Sequence, residues 1–183
     1  MCYLLNKAVY FILICVSCVS FSCSGLRQVT DSKDRMPLRQ RNLADLNGKY
    51  NNDPKYNKDS TRTDLYWNIF DIGYNSKDRI CYIEIKAIDN DKLNIALWDN
   101  NHIVKSKIFK GKFKRNYFVF KRRYLILPMI VVNLFRNRKF RIGLLPNGNI
   151  ITDYNQISFG SFYVILPYLE RRKYYGVEFE RVN

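Results

Sequence analysis

"RICYIEIKAIDNDKLNIALW", residues 79–98, decides the fold. Cys81, Ile83, Ile85 and Ala87 take one parity, and Glu84 and Lys86 take the other. Successive side chains of a strand point to opposite faces, so this alternation marks a strand with one buried face. A DNDK turn follows, and Leu93, Ile95 and Leu97 resume the pattern. Two alternating runs joined by a short polar turn make a hairpin.

The same pattern spreads in both directions. Downstream, the turn DNNH leads into "IVKSKIFKGKF", and "NYFVFKRR" follows a charged break at Lys114-Arg115. "RKFRIGLL" (138–145) places Phe140, Ile142 and Leu144 on one face. "PNGN" then signals a hairpin, because Asn-Gly readily takes the positive φ angles of a tight turn. "IITDY", "SFGSFYVIL" and "YYGVEFERV" complete the series. "YLILPMIVVNLF" (124–135), interrupted by Pro128, is too short to cross a bilayer and is predicted buried, as strand or short helix. Upstream, "ADLNGKYNN" carries a first strand with Gly48 and Tyr50. Thr63 caps a short helix near 63–70 that turns Leu65, Tyr66, Ile69 and Phe70 inward.

The chain therefore predicts an all-β domain, an antiparallel up-and-down meander barrel of about 8–10 strands. A barrel removes the exposed edges that invite aggregation. A β-sandwich is the alternative. Fourteen Tyr, twelve Phe and two Trp against eight Gly and five Pro are a β-favouring composition with enough apolar surface for a core.

The N-terminus, "MCYLLNKAVYFILICVSCVSFSCSG", has one Lys (Lys7) before an apolar run from Ala8 to Phe21. Small residues and then polar chain follow, which is the layout of a secretory signal. The end of that run resembles a bacterial lipoprotein signal, in which a cysteine becomes the lipid-modified first residue. The resemblance implies lipid attachment at Cys23, after Ser20-Phe21-Ser22, with Cys18 as the alternative. On this expectation residues 1–22 are the signal peptide, 23–42 a flexible tether and 43–183 the β-barrel domain. Ser24 lacks the Asp that in this family's sorting rule retains a lipoprotein at the inner membrane, so the resemblance implies the outer membrane.

Cys2, Cys15, Cys18 and Cys23 all lie in or beside this signal, which leaves Cys81 in the domain. A single cysteine forms no internal disulfide, and without a downstream CxxC pair no multi-thiolate zinc site is expected. Cys81 shares parity with Ile83 and Ile85 and reads as a buried, inert thiol.

A second resemblance is to calycin-type barrels, the lipocalin group. These open with a Gly-X-Trp strand whose ring plugs one end beneath an Arg from the last strand. Gly48-Lys49-Tyr50 matches with Tyr for Trp, and Arg181 shares parity with Tyr175, Val177 and Phe179 on the last strand. The resemblance implies a plug pair of Tyr50 and Arg181. The domain also resembles small lipoproteins of Bacteroidota.

The formal charge of +15 calls for an anionic partner or a solubility role. Residues 107–123 hold eight Lys or Arg and five aromatics. A single-stranded nucleic-acid platform needs aromatics exposed beside its cations. Here Lys110, Lys112 and Lys114 share one parity while Phe109, Gly111 and Phe113 share the other. The pattern predicts a solvated basic face over a buried aromatic one, suited to anionic lipid or lipopolysaccharide headgroups and not to nucleic acid.

Catalytic constellations are not legible. His102 sits alone in a turn, and DNDKLN (89–94) departs from a calcium loop at Asn94 and Asn100. Glu84, Glu178 and Glu180 sit on polar faces, and Trp67, Trp98 and Tyr66 read as core or barrel-rim residues. Ala87, Gly111 and Gly143 leave room for a cavity, while the many aromatics are able to fill it. The expectation is a lipid-anchored cell-envelope barrel that binds a small apolar ligand or an anionic envelope component. It is not an enzyme and needs no metal or cofactor. A filled barrel docking on another envelope protein is the alternative.

Overall fold

In a computed structural model, residues 35–55, 64–70, 81–126, 132–162 and 166–182 are described. The signal, Cys18, Cys23, Thr63 and Pro128 lie outside these residues. A 3-10 helix, Gln40–Leu46, leads into β1 (Gly48–Asn51), and the short helix α1 (Leu65–Phe70) follows. Then come β2 (Cys81–Asp89), β3 (Lys92–Asp99), β4 (His102–Lys110), β5 (Lys112–Lys114) and β6 (Tyr117–Ile126). The series closes with β7 (Val132–Leu144), β8 (Ile150–Phe162), β9 (Leu166–Phe179) and β10 (Arg181–Val182).

The protein is all-β, with ten antiparallel strands and one short α-helix among the described residues. The strands form two five-stranded sheets in a sandwich-like arrangement, ordered β10-β1-β2-β3-β4 and β5-β6-β7-β8-β9. Two long runs of chain serve both sheets. Only Gly111 separates β4 from β5, and only Glu180 separates β9 from β10. The strand order is thus a meander that returns to its start, β10 pairing with β1 through Lys49↔Val182 and Tyr50↔Arg181. Strands that bend from one sheet into another make the corners of such structures.

Alternation places the core as the sequence predicts. Ile83, Ile85, Ile95, Leu97, Phe140, Ile142 and Leu144 are all buried, in one cluster with Phe109, Phe118, Phe120 and Phe179. Asn100 and Asn101, and again Arg115 and Asn116, have positive φ, the paired left-handed conformation that matches the twist of a two-residue hairpin. In α1, Leu65, Tyr66, Ile69 and Phe70 are buried, and Asp64 Oδ1 accepts from the Trp67 N–H at 2.6 Å.

Three placements differ from the sequence pattern. Residues 35–42, assigned to a tether, lie against the domain: Leu38 is buried and the Met36 N–H donates to the Leu144 carbonyl at 3.0 Å. Leu125, within the apolar run expected to be buried, is exposed. A register shift near Gly176, at φ +66°, puts Tyr174 rather than Tyr175 opposite Tyr154, their rings 6.0 Å apart. The Gly176 N–H donates there to Asp153 Oδ1 at 2.7 Å. A bulge adds a residue to one strand, so parity counted through it fails.

Candidate functional site

Strand pairing carries the inward face of the second sheet past its aromatic part. One cross-strand row is Phe120, Phe140, Tyr154 and Tyr174. The next is Arg122, Arg138, Gln156 and Arg172, and the one beyond is Tyr124, Arg136, Ser158 and Glu170. Four guanidinium groups therefore share eight adjacent positions with a single carboxylate. On the first sheet, Lys105 and Lys107 pair with Leu97 and Ile95, on the side of the buried Phe109. They face the same end of the fold. The Lys105 ammonium lies 5.8 Å from the Phe70 ring centroid, and the nearby Arg122 charge, followed by burial and Lys105, holds the Lys107 pKa below its ordinary value.

Each arginine is held by neighbours. Arg122 Nη1 donates to the Ile69 carbonyl at 3.0 Å, and its guanidinium lies 5.0 Å from the Tyr124 ring centroid. Arg138 is only 4% exposed. Arg136 Nε donates to Ser158 Oγ at 3.2 Å, and Gln156 Nε2 donates to the same oxygen at 3.0 Å. The Tyr154 hydroxyl donates to Gln156 Oε1. Glu170 accepts from the Tyr168 hydroxyl at 2.7 Å and pairs with Arg172. Burial alone raises the Glu170 pKa. The bonds from Tyr168 and Arg172, with the charges of Arg172 and Arg136, outweigh it and hold the carboxyl below its usual range.

Beneath these rows aromatic rings pack against one another. Phe109 and Phe120 have ring centroids 4.7 Å apart, Phe120 and Phe140 5.1 Å, and Phe140 and Tyr154 6.5 Å. Chemically, the arrangement offers planar, permanently charged donors above an apolar floor. It suits a phosphate, sulfate or carboxylate.

The residues singled out in the sequence lie elsewhere. Lys110, Lys112 and Lys114 are exposed, with Phe109 and Gly111 buried on the opposite parity. Tyr50 and Arg181 are cross-strand partners. Tyr50 is fully buried, its hydroxyl donating to the Leu46 carbonyl at 2.9 Å, and burial raises its pKa against the opposing Arg181 charge. The Arg181 guanidinium rests over Gly48, where a Cβ would meet Nε at 2.8 Å, and donates to the Asn47 carbonyl. His102 is exposed at the start of β4. Cys81 is half-buried against the core. Glu178 and Glu180 pair with Lys55. Trp98 lies on the outer face of the first sheet, stacked on Tyr82 and donating to Glu84 at 3.0 Å. Among the described residues no group of three His, Cys, Asp or Glu side chains is placed to hold a metal ion.

Arg122, Arg136, Arg138 and Arg172 are absent from the sequence-based set. A signal for three of them exists, because Arg122 is in phase with Phe118 and Phe120, and Arg136 and Arg138 with Phe140 and Ile142. Basic residues in phase with a core are what such a cluster looks like in sequence. The chain matches no family model, no curated protein and no solved structure.

Proposed function

We propose that the protein is a lipid-anchored component of the cell envelope, held at the outer membrane through Cys23, that binds an anionic envelope component non-covalently. The binding site is the arginine cluster on the inward face of β6–β9, with Lys105 and Lys107 opposite. The observation that carries this reading is the placing of Arg122, Arg138 and Arg172, with Gln156, in one cross-strand row above packed aromatic rings. The packed rings favour an anionic head at this end over a small apolar ligand between the sheets.

Hexyl phosphate, too short to form micelles at the concentrations required, is a suitable probe for the full chain in a nonionic detergent. Titration calorimetry is expected to show binding that weakens with salt. Arg172→Gln and Arg136→Gln should each reduce affinity about tenfold, the value of one charge-assisted hydrogen bond. Equal binding of hexanol would move the ligand into the apolar interior. Loss of binding on replacing Lys110, Lys112 and Lys114 by Gln, with the arginine variants unaffected, would move it to the outer lysine face.

A further inference from the structure

The outward face of β6–β9 carries a second pattern, independent of the arginine cluster. At the end of the sheet beyond Tyr124 and Ser158, Leu125, Phe135, Phe159 and Leu169 form one continuous cross-strand row. Leu125 is 63% exposed, Phe159 51% and Leu169 60%, and the Phe135 and Phe159 ring centroids lie 4.8 Å apart. Four large apolar side chains in line across four strands, three of them exposed and Phe135 half-buried between them, are not the scattered exposure of an ordinary surface.

Charge is arranged around this row. The next row inward is Arg123, Asn137, Ile157 and Arg171, and the one after it is Lys121, Lys139, Asn155 and Lys173. These eight positions hold five cations and no carboxylate. The repulsion is felt within the sheet: burial, with Lys121 and Lys114 nearby, holds the Lys139 pKa below its ordinary value. Further inward the same face is covered. Arg35 packs over Tyr117, and Met36 bonds to Leu144. Among the described residues of this face, Leu125, Phe159 and Leu169 with Arg123, Arg171, Lys121 and Lys173 are exposed, while Asn155 between the lysines is buried.

An apolar leading edge backed by cations and free of acids matches an anionic lipid bilayer in both chemistry and order. The apolar edge enters the acyl boundary, and the cations meet the headgroups. A protein partner of ordinary composition has no reason to be apolar at one line and uniformly acidic behind it. We propose that this end of the second sheet docks on an anionic membrane surface, with Leu125, Phe135, Phe159 and Leu169 inserted and Arg123, Arg171, Lys121 and Lys173 at headgroup level. Docking at this face depends neither on lipid attachment at Cys23 nor on the arginine cluster. It adds an orientation that a flexible anchor does not impose.

A local probe separates docking from anchoring. The full chain is placed on vesicles of phosphatidylglycerol with brominated acyl chains, and on brominated phosphatidylcholine as the neutral control. Phe159→Trp adds tryptophan emission at the apolar row, and Ile108→Trp adds it at an exposed position on the other sheet. Emission from Phe159→Trp should shift to the blue and be quenched on phosphatidylglycerol, while that from Ile108→Trp stays unquenched. The quenching should disappear on phosphatidylcholine, in high salt, and in Phe159→Trp carrying Arg123→Gln and Arg171→Gln. All altered positions are exposed, so unchanged circular dichroism and melting are expected to accompany the loss. Equal quenching at both positions, or none at Phe159→Trp, overturns the proposal. A blue shift of Phe159→Trp that grows with protein concentration in the absence of lipid would overturn it in favour of a second copy of the chain.

Discussion

Tyr117 sits between two guanidinium groups, Arg35 at 4.4 Å from its ring centroid and Arg141 at 4.3 Å, and Arg141 is paired with the buried Asp153. Burial first, then the Asp153 charge, pushes its phenol up to about 12, against the opposing arginines. The protonated form is the one the fold favours. Unfolded tyrosine loses its proton near pH 10, so the stabilisation is complete below that value and is lost as pH rises towards 12. Over that window the phenol accounts for roughly 2–3 kcal/mol. Urea denaturation should show Tyr117→Phe losing less stability than the wild type between pH 10 and 12. Parallel losses would mean that this phenol ionises as freely in the fold as out of it. Nothing in the sequence around Tyr117 announces this contact, because Arg35, Arg141 and Asp153 come from three distant segments.

At the level of elements, the corner at Gly111 carries the chain from one sheet to the other. A Cβ there would lie 2.3 Å from Phe118 Cζ and 2.6 Å from Cε1. Phe118 is fully buried, with Phe113 and Phe120 against it, so its ring has no free direction in which to move. Gly111→Ala is therefore expected to cost about 1–3 kcal/mol, the range for overpacking a filled core. Pairing it with Phe118→Leu should recover part of that loss, since residues in contact couple. Wild-type stability for Gly111→Ala in a denaturant titration would show that the corner does not rest on Phe118. The alternation of β2, β3 and β7 is legible in the sequence because every turn of the pattern is local. The bulge at Gly176 is not legible, because an inserted residue has no mark of its own.

For the whole molecule, the proposed lipid anchor is tested apart from the folded unit. If Cys23 carries the lipid, Cys23→Ser should leave the membrane fraction or accumulate as a precursor, and Cys18→Ser should stay anchored. Fatty-acid labelling that persists in Cys23→Ser and vanishes in Cys18→Ser would move the attachment to Cys18. The charge of +15 is also a property of the whole chain, and the fold divides it. Lys110, Lys112 and Lys114 take the solvated face that parity assigns them. Arg122, Arg136, Arg138 and Arg172 gather on the inward side, and Arg123, Arg171, Lys121 and Lys173 back the apolar row.

The sequence by itself determined the all-β class, the hairpin order and the apolar core, since periodicity two and turn chemistry act over a few residues. It also placed Tyr50 and Arg181 on the first and last strands. Tertiary structure alone decided that the ladder divides into two sheets at Gly111 and Glu180, and where the inward face stops being core. Parity says which of two faces a residue takes, but not what covers that face. Arg138 is in phase with Phe140 and Ile142, and Phe159 is in phase with Asp153 and Asn155, so counting alone puts an arginine inside and a phenylalanine outside without purpose. The purpose lies in the cross-strand neighbours, and register between distant strands is set only when the whole sheet assembles.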